Sequence, residues 1–183
     1  MRRTDPERRE RIVAVCLDVI AERGIAGTSH RRVAERADVP LGSMTYHFDG
    51  MAGLLAEAFT RFIDEQAERF ACRLDGADSP DAAILAIVDS IDAHWRGERR
   101  ELVLTHELYT LAARDPAFRA LTDGWMRRSR TVLERWFDPL TARLIDAMVE
   151  GVSIHGALDT TPPDLDAARE ALHRIAGQDQ PPR

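Results

Sequence analysis

Proline placement is the feature that most constrains what this 183-residue chain can fold into. Proline lacks an amide hydrogen and has a fixed φ, so a helix accepts it without cost only in its first turn. Four of the nine prolines follow a residue able to cap a helix start: Asp5-Pro6, Ser79-Pro80, Asp115-Pro116 and Asp138-Pro139. An Asp or Ser side chain accepts the orphan amide bonds of a first turn, so each pair reads as a helix N-terminus. Pro162 and Pro163 break the chain ahead of Asp164, Pro181 and Pro182 lie in the tail, and Pro40 falls in a turn. No proline interrupts a periodic apolar segment.

Between these marks the apolar spacing is helical. It predicts helices over 6–23, 29–37, 41–47, 50–72, 80–96, 99–113, 116–137, 139–158 and 164–176. No alternating β-branched segment of useful length occurs. The expected fold is all-α, with about nine helices and a soft linker at Asp75-Gly76-Ala77-Asp78.

Hydrophobic residues make up 44% of the chain and charged residues 31%, the balance of a globular protein able to bury its own core. Two cysteines make neither a disulfide framework nor a metal cluster. No apolar run is long enough for a membrane span. Met-Arg-Arg-Thr-Asp-Pro-Glu has no apolar signal core, so the expected location is cytoplasmic. The formal charge of −6 argues against a nucleic-acid partner only as an average. Residues 1–48 hold nine Arg and seven acids, while 49–183 hold sixteen Arg and twenty-four acids. The N-terminal quarter is therefore net basic, and Arg2, Arg3, Arg8, Arg9 and Arg11 form a basic arm suited to a phosphate backbone or a minor groove.

Residues 24–48 are the most informative stretch. Gly24 ends the first helix. Thr28 and Ser29 open a short helix with Val33, Ala34 and Ala37 on its inner face. Asp38-Val39-Pro40 makes a three-residue turn, and a second short helix follows. Two short helices joined this tightly form a helix-turn-helix, whose second helix can enter the major groove. Thr28 and Ser29, with the free amides beside them, suit phosphate oxygens. His30 and Arg31 project from the same first turn, and Arg31 can reach a phosphate or a guanine edge. Leu41, Ser43, Thr45, Tyr46 and His47 form the exposed face of the second helix. Taken singly, Thr28 or Ser29 could be only a cap, Arg31 a solvated charge and Tyr46 a packing residue. Together on one helix-turn-helix they point to double-stranded DNA.

The segment from Arg9 to Leu55 resembles the DNA-binding domain of TetR-family transcriptional regulators. The resemblance rests on Gly24, Thr28-Ser29, Val33-Ala34, Ala37, Val39, Gly42 and Tyr46-His47-Phe48, continuing into Leu54-Leu55. It implies a DNA-binding domain over 1–50 and a ligand-binding and dimerisation domain over 51–183. It also implies that Tyr46 and His47 bind backbone phosphates. Three positions depart from the family's pattern. Asp38 stands where Gly is usual in the turn, Pro40 where Ser often caps, and Met51 where Lys commonly contacts phosphate.

In the larger region an effector pocket would need apolar walls and a few polar groups. Phe62, Trp95, His106, Tyr109, Trp125, Met126 and Met148 are the candidates, with ordinary core as the alternative for each. The Trp rings could stack on a flat or cationic ligand. Ala147, Gly151, His155 and Gly156 on 139–158, with Leu165 and Leu172 on the last helix, are candidates for a homodimer interface built as a four-helix bundle. Packing within one subunit is the alternative for the glycines. The expected function is a ligand-responsive regulator, by resemblance a repressor, that binds a palindromic operator as a homodimer. An effector would release it by shifting helix 50–72. A DNA-binding protein without an effector is the second reading.

An enzyme is the third and weakest reading. His106-Glu107 would need His at 110 for a zinc helix, and Thr110 stands there. No cofactor, metal site or catalytic residue is expected. Cys16 and Cys72 have packing as the default role for the first, and redox sensing as an option for either.

Overall fold

The computed structural model describes residues 7–96, 99–161 and 164–177. Among them are nine helices and no strand: α1 (Arg8–Arg23), α2 (His30–Arg36), α3 (Gly42–His47), α4 (Gly50–Leu74), α5 (Pro80–Arg96), α6 (Arg99–Ala112), α7 (Pro116–Leu133), α8 (Pro139–Leu158) and α9 (Leu165–Ile175). Arg2, Arg3, the Asp5-Pro6 pair and the prolines at 162, 163, 181 and 182 lie outside the described residues.

The other capping pairs act as their chemistry dictates. Ser79 Oγ accepts from the amide of Ala82 at 3.2 Å, and Asp115 Oδ1 from that of Ala117 at 2.9 Å. Asp138 Oδ1 accepts from Leu140 and Thr141 amides at 2.9 and 3.2 Å. The Thr141 hydroxyl and these amides hold the Asp138 carboxyl below its usual range. Each such cap is worth about 1 kcal/mol. The largest boundary difference from expectation is at α7, which stops at Leu133 rather than near 137; α1 starts at Arg8 rather than 6 and α4 runs on to Leu74. The chain turns through Glu134-Arg135-Trp136, the Arg135 guanidinium lies 4.5 Å from the Trp136 ring centre, and Phe137 drops into the core.

The helices pack as two compact units. The first takes Met1–Glu65 with Arg99–Thr122, the second Gln66–Glu98 with Asp123–Arg183. The first unit thus adds the start of α4, α6 and the start of α7 to the helix-turn-helix. Its buried residues include Ile12, Cys16 and Ile20 of α1, Val33 of α2, Met44 of α3, Phe59 and Phe62 of α4, and Leu104 and Leu108 of α6. Burial pushes the Cys16 thiol up to about 12, so it stays protonated and is a poor thiolate for redox chemistry.

The second unit is built on Leu74, Ile84, Ile87, Ile91, Leu133, Phe137, Ile145 and Leu172. α5 and α8 approach closely there because Gly156 has no side chain. A Cβ at Gly156 would lie 2.1 Å from Trp95 Nε1. That Nε1 donates to the carbonyl of Val152 at 3.3 Å. Arg130 Nε meets Asp146 Oδ2 at 2.9 Å between α7 and α8, and burial still pushes the Asp146 carboxyl up.

Three expectations for this unit are corrected by the packing. Gly156 spends its missing side chain on Trp95 within the protomer. Leu172 has 0% exposure and offers nothing to a second subunit. Trp95, proposed for a pocket, is a packing residue whose indole N–H is already bonded.

Candidate nucleic-acid interface

The recognition surface begins with how α2 and α3 are held. Ser29 caps α2, its Oγ accepting the Arg32 amide at 3.3 Å. The Thr28 hydroxyl donates to the Gly24 carbonyl at 2.8 Å and ties α2's approach to α1's end. Arg11 Nε donates to the Ala37 carbonyl at 3.2 Å and holds α2's other end to α1. α3 is pinned by Met44 at 0% exposure and by its C-cap Phe48 at 6%.

Pinning those two residues turns the opposite face of α3 outward. Tyr46 is 84% exposed and Leu41 54%. Thr45 is exposed with its hydroxyl on the Gly42 carbonyl, while Ser43 and His47 are half-buried. The His47 ring stands edge-on to Tyr46 at 4.9 Å, which stiffens the pair. Arg31 is exposed, in an (i, i+4) ion pair with Glu35 at 2.8 Å. Such an exposed pair is screened by solvent and holds weakly, so a phosphate can displace it.

His30, expected to project alongside Arg31, is half-buried. Its Nε2 is buried and has no hydrogen-bond partner among the described residues.

The departures from the family pattern have visible consequences. Asp38 sits at φ 52, in the left-handed region, at a cost of about 1–2 kcal/mol for a residue with a Cβ. Leu41, the N-cap of α3, offers the helix no side-chain cap. Met51 is half-buried and carries no charge.

α6 holds the same surface from behind. Arg100 donates to Asp18 Oδ1 through Nη2 at 2.8 Å and Nε at 3.2 Å. Glu107 Oε2 accepts the Ile25 amide at 3.1 Å, just after the end of α1. These contacts join residues 82 apart, and periodicity gives no sign of them. A cleft of about 310 Å³ opens here, lined by Asp18, Ala21, Glu22, Arg36, Arg99, Arg100 and Val103.

None of the expected pocket residues lines that cleft. Phe62, His106 and Tyr109 fall in the first unit. Phe62 is buried, and His106 Nε2 is enclosed without a hydrogen-bond partner among the described residues. Trp95, Trp125, Met126 and Met148 fall in the second unit, all half-buried. Met126 Sδ meets Arg130 Nη2 at 3.8 Å.

Of the expected dimer residues, Ala147 and His155 are exposed, and Gly151 and Leu165 half-buried. A Cβ at Gly151 would meet nothing within 4 Å. Leu140 (66%), Leu144 (48%) and Leu158 (65%) lie on the outside of α8, which helical periodicity alone does not reveal. Among the described residues no helix is long and apolar enough to cross a membrane. Nor does any group of three or more His, Cys, Asp or Glu there suit a metal.

Comparison with known proteins agrees with this architecture. Residues 12–58 match the family described as bacterial regulatory proteins, tetR family, and 78–178 match the tetracyclin repressor-like C-terminal domain. The crystal structure of SCO7518 from Streptomyces coelicolor A3(2), described as a transcriptional regulator, is 54% identical with a TM-score of 0.90. The match covers 93% of this chain and 99% of that one. The multidrug binding protein EbrR in complex with ethidium is 36% identical with a TM-score of 0.78, over 93% of this chain and 99% of that one. EbrR is also solved with proflavin and with malachite green. The regulator BetI 1 of Chromohalobacter salexigens is 27% identical over 92% of this chain and 88% of its own length. A helix-turn-helix head, a helical remainder and these matches in both parts of the sequence have one meaning: the chain belongs to the TetR family of bacterial transcriptional regulators.

Proposed function

We propose that the protein is a homodimeric repressor that reads a two-fold-symmetric operator and leaves it when a small-molecule effector binds. The observation that carries this reading is the outward face of α3, where Leu41, Thr45 and Tyr46 are exposed while Met44 and Phe48 lock the helix from behind. A short helix anchored this way can lie in the major groove with Thr45 and Leu41 at base edges. Tyr46, His47, Ser29 and Arg31 would then face phosphates. Residues 1–50 supply the reading head, and 51–183 supply the effector and dimer functions.

A second copy would dock on the apolar stripe of α8, at Leu140, Leu144, Ala147, Gly151 and Leu158. Pairing two heads supplies the half-site spacing that a palindrome needs. Aromatic cations are the first effector class to test, because EbrR is solved in complex with ethidium, proflavin and malachite green. The effector must bind the DNA-free state more tightly, since equal affinity for both states shifts nothing. α4 runs from behind α3 into the second unit and is the element through which that preference would reach the head.

The test is footprinting of the purified protein on genomic DNA, followed by affinity measurements on the recovered operator. Arg31→Ala with Tyr46→Ala should weaken binding by about 100-fold, since each loses a contact in both subunits. Ethidium should weaken wild-type binding in a saturable way. Unchanged affinity in the double variant would overturn the head assignment. Ligands that raise the melting temperature without releasing DNA would favour a regulator with no effector control.

A further inference from the structure

The basic start of α1 is not a uniform patch once its side chains are placed. Arg11 is committed to the Ala37 carbonyl. Arg8 has its Nε buried. Arg61 of α4, facing the same region, is bonded to Glu65 and to the Glu10 carbonyl. Arg9 differs from all three. Its side chain is 56% exposed, and its Nη2 lies 2.8 Å from Glu57 Oε2 on α4. Its guanidinium carbon stands 5.8 Å from the ring centre of Phe48, the residue that closes α3 directly after Tyr46 and His47.

We propose that Arg9 is a DNA-backbone contact held in reserve by Glu57, and that a phosphate of the operator takes the carboxylate's place. This rests on the assignment of α2 and α3 as the DNA-reading head. The chemistry is a competition between two anions for one guanidinium. Arg offers five N–H donors in a planar fork that fits a carboxylate or a phosphate diester equally well. In the free protein Glu57 occupies part of that fork. The Phe48 ring beneath it fixes where the fork sits, beside the end of the recognition helix, so little side-chain freedom is lost on binding.

Glu57 opposes DNA in two ways. It satisfies Arg9, and it places a negative charge close to where a phosphate must come. It is a carboxylate on α4, the helix that leads away from the head, so any displacement of α4 changes its hold on Arg9. The contact would also supply the cationic backbone anchor that Met51, at the start of α4, cannot.

The experiment compares Arg9→Gln, Arg9→Lys, Glu57→Gln and Arg9→Gln/Glu57→Gln in the full-length protein. Binding is measured across a salt series, on the operator duplex recovered by footprinting and on a random-sequence duplex. Arg9→Gln should weaken both duplexes alike by about 3- to 10-fold and reduce the salt slope by about one per subunit, as loss of a phosphate contact does. Arg9→Lys should restore the salt slope. Glu57→Gln should tighten binding by about 3- to 10-fold in the wild-type background and by clearly less in the Arg9→Gln background, where only its repulsion is left to remove.

Equal tightening in both backgrounds would show that Glu57 acts only as a general repulsive charge, and would overturn the proposal. So would an Arg9→Gln variant with an unchanged salt slope. Should Arg9→Gln fold poorly, Glu57→Gln alone decides, because unchanged affinity there removes the competition. Failure of these variants with a normal loss in Arg31→Ala/Tyr46→Ala would sink this inference and leave the head assignment standing.

Discussion

Gly24→Ala should destabilise the protein strongly. Gly24 has φ 67 and ψ 171, a region that is open to glycine and closed to residues with a Cβ. Adopting it with alanine costs about 1–3 kcal/mol in backbone strain. The new methyl would also stand 2.6 Å from Glu107 Oε1, the carboxylate whose other oxygen accepts the Ile25 amide. Moving Glu107 away leaves that amide without its charged acceptor, a further loss of about 1.5–3 kcal/mol. Denaturant unfolding of Gly24→Ala, Glu107→Ala and the double variant checks both parts. The two effects should sum to more than the double variant loses, because Glu107→Ala already removes the clash. A Gly24→Ala protein as stable as wild type would show that neither the backbone shape nor the Glu107 contact governs this turn.

Leu144→Arg should convert the proposed dimer to a monomer without unfolding the protomer. Leu140, Leu144, Ala147, Gly151 and Leu158 recur at helical spacing on the exposed side of α8, so in an isolated chain they face water. Burying one such Leu against a second copy contributes about 1.5–3 kcal/mol. An Arg in its place loses that gain and brings an unpaired charge toward the interface, once from each subunit. The dimer dissociation constant should rise by about 10²- to 10³-fold. Sedimentation velocity reads this directly. Operator affinity should fall in step at low protein concentration, since two linked heads bind far better than one. Leu85→Arg is the control: Leu85 is 53% exposed on α5 and lies off the stripe, so its variant should stay dimeric. A dimeric Leu144→Arg protein would move the interface off this face.

The helices were legible because their starts are written in local chemistry. Ser79, Asp115 and Asp138 each bond amides within three residues, and no distant partner is needed. The end of α7 was not legible, because Val132 and Trp136 continue the apolar rhythm past Leu133 and no Gly or Pro marks the stop. The helix-turn-helix could be recognised, and the exposure of Leu41 and Tyr46 followed from the inward turn of Met44 and Phe48.

What lay beyond sequence was the choice of partner. Gly156 suits close approach to any helix, and only the packing shows that the helix is α5. Leu172 and Leu140 look alike as apolar residues at helical spacing, yet one is fully buried and the other exposed. α8 carries apolar residues on two faces, and a period of 3.6 does not say which face meets its own subunit. The partial enclosure of His30 was hidden for the same reason. The residue's place in the first turn of α2 is local, and the enclosure of its Nε2 is tertiary. Arg9 with Glu57, Asp18 with Arg100, and Ile25 with Glu107 join segments far apart in the chain.

The last of these contacts has a spectroscopic use. The Ile25 amide bonds to Glu107 Oε2 at 3.1 Å, a side chain on a different helix. Its exchange with deuterated solvent therefore depends on whether α6 keeps its hold, and much less on the integrity of α1. Most helical amides in the head exchange through fraying or unfolding of their own helix. This one is a clock for a single inter-helix latch. Followed residue by residue with and without ethidium, it times the loosening of α6 from the head directly, whatever the operator sequence turns out to be.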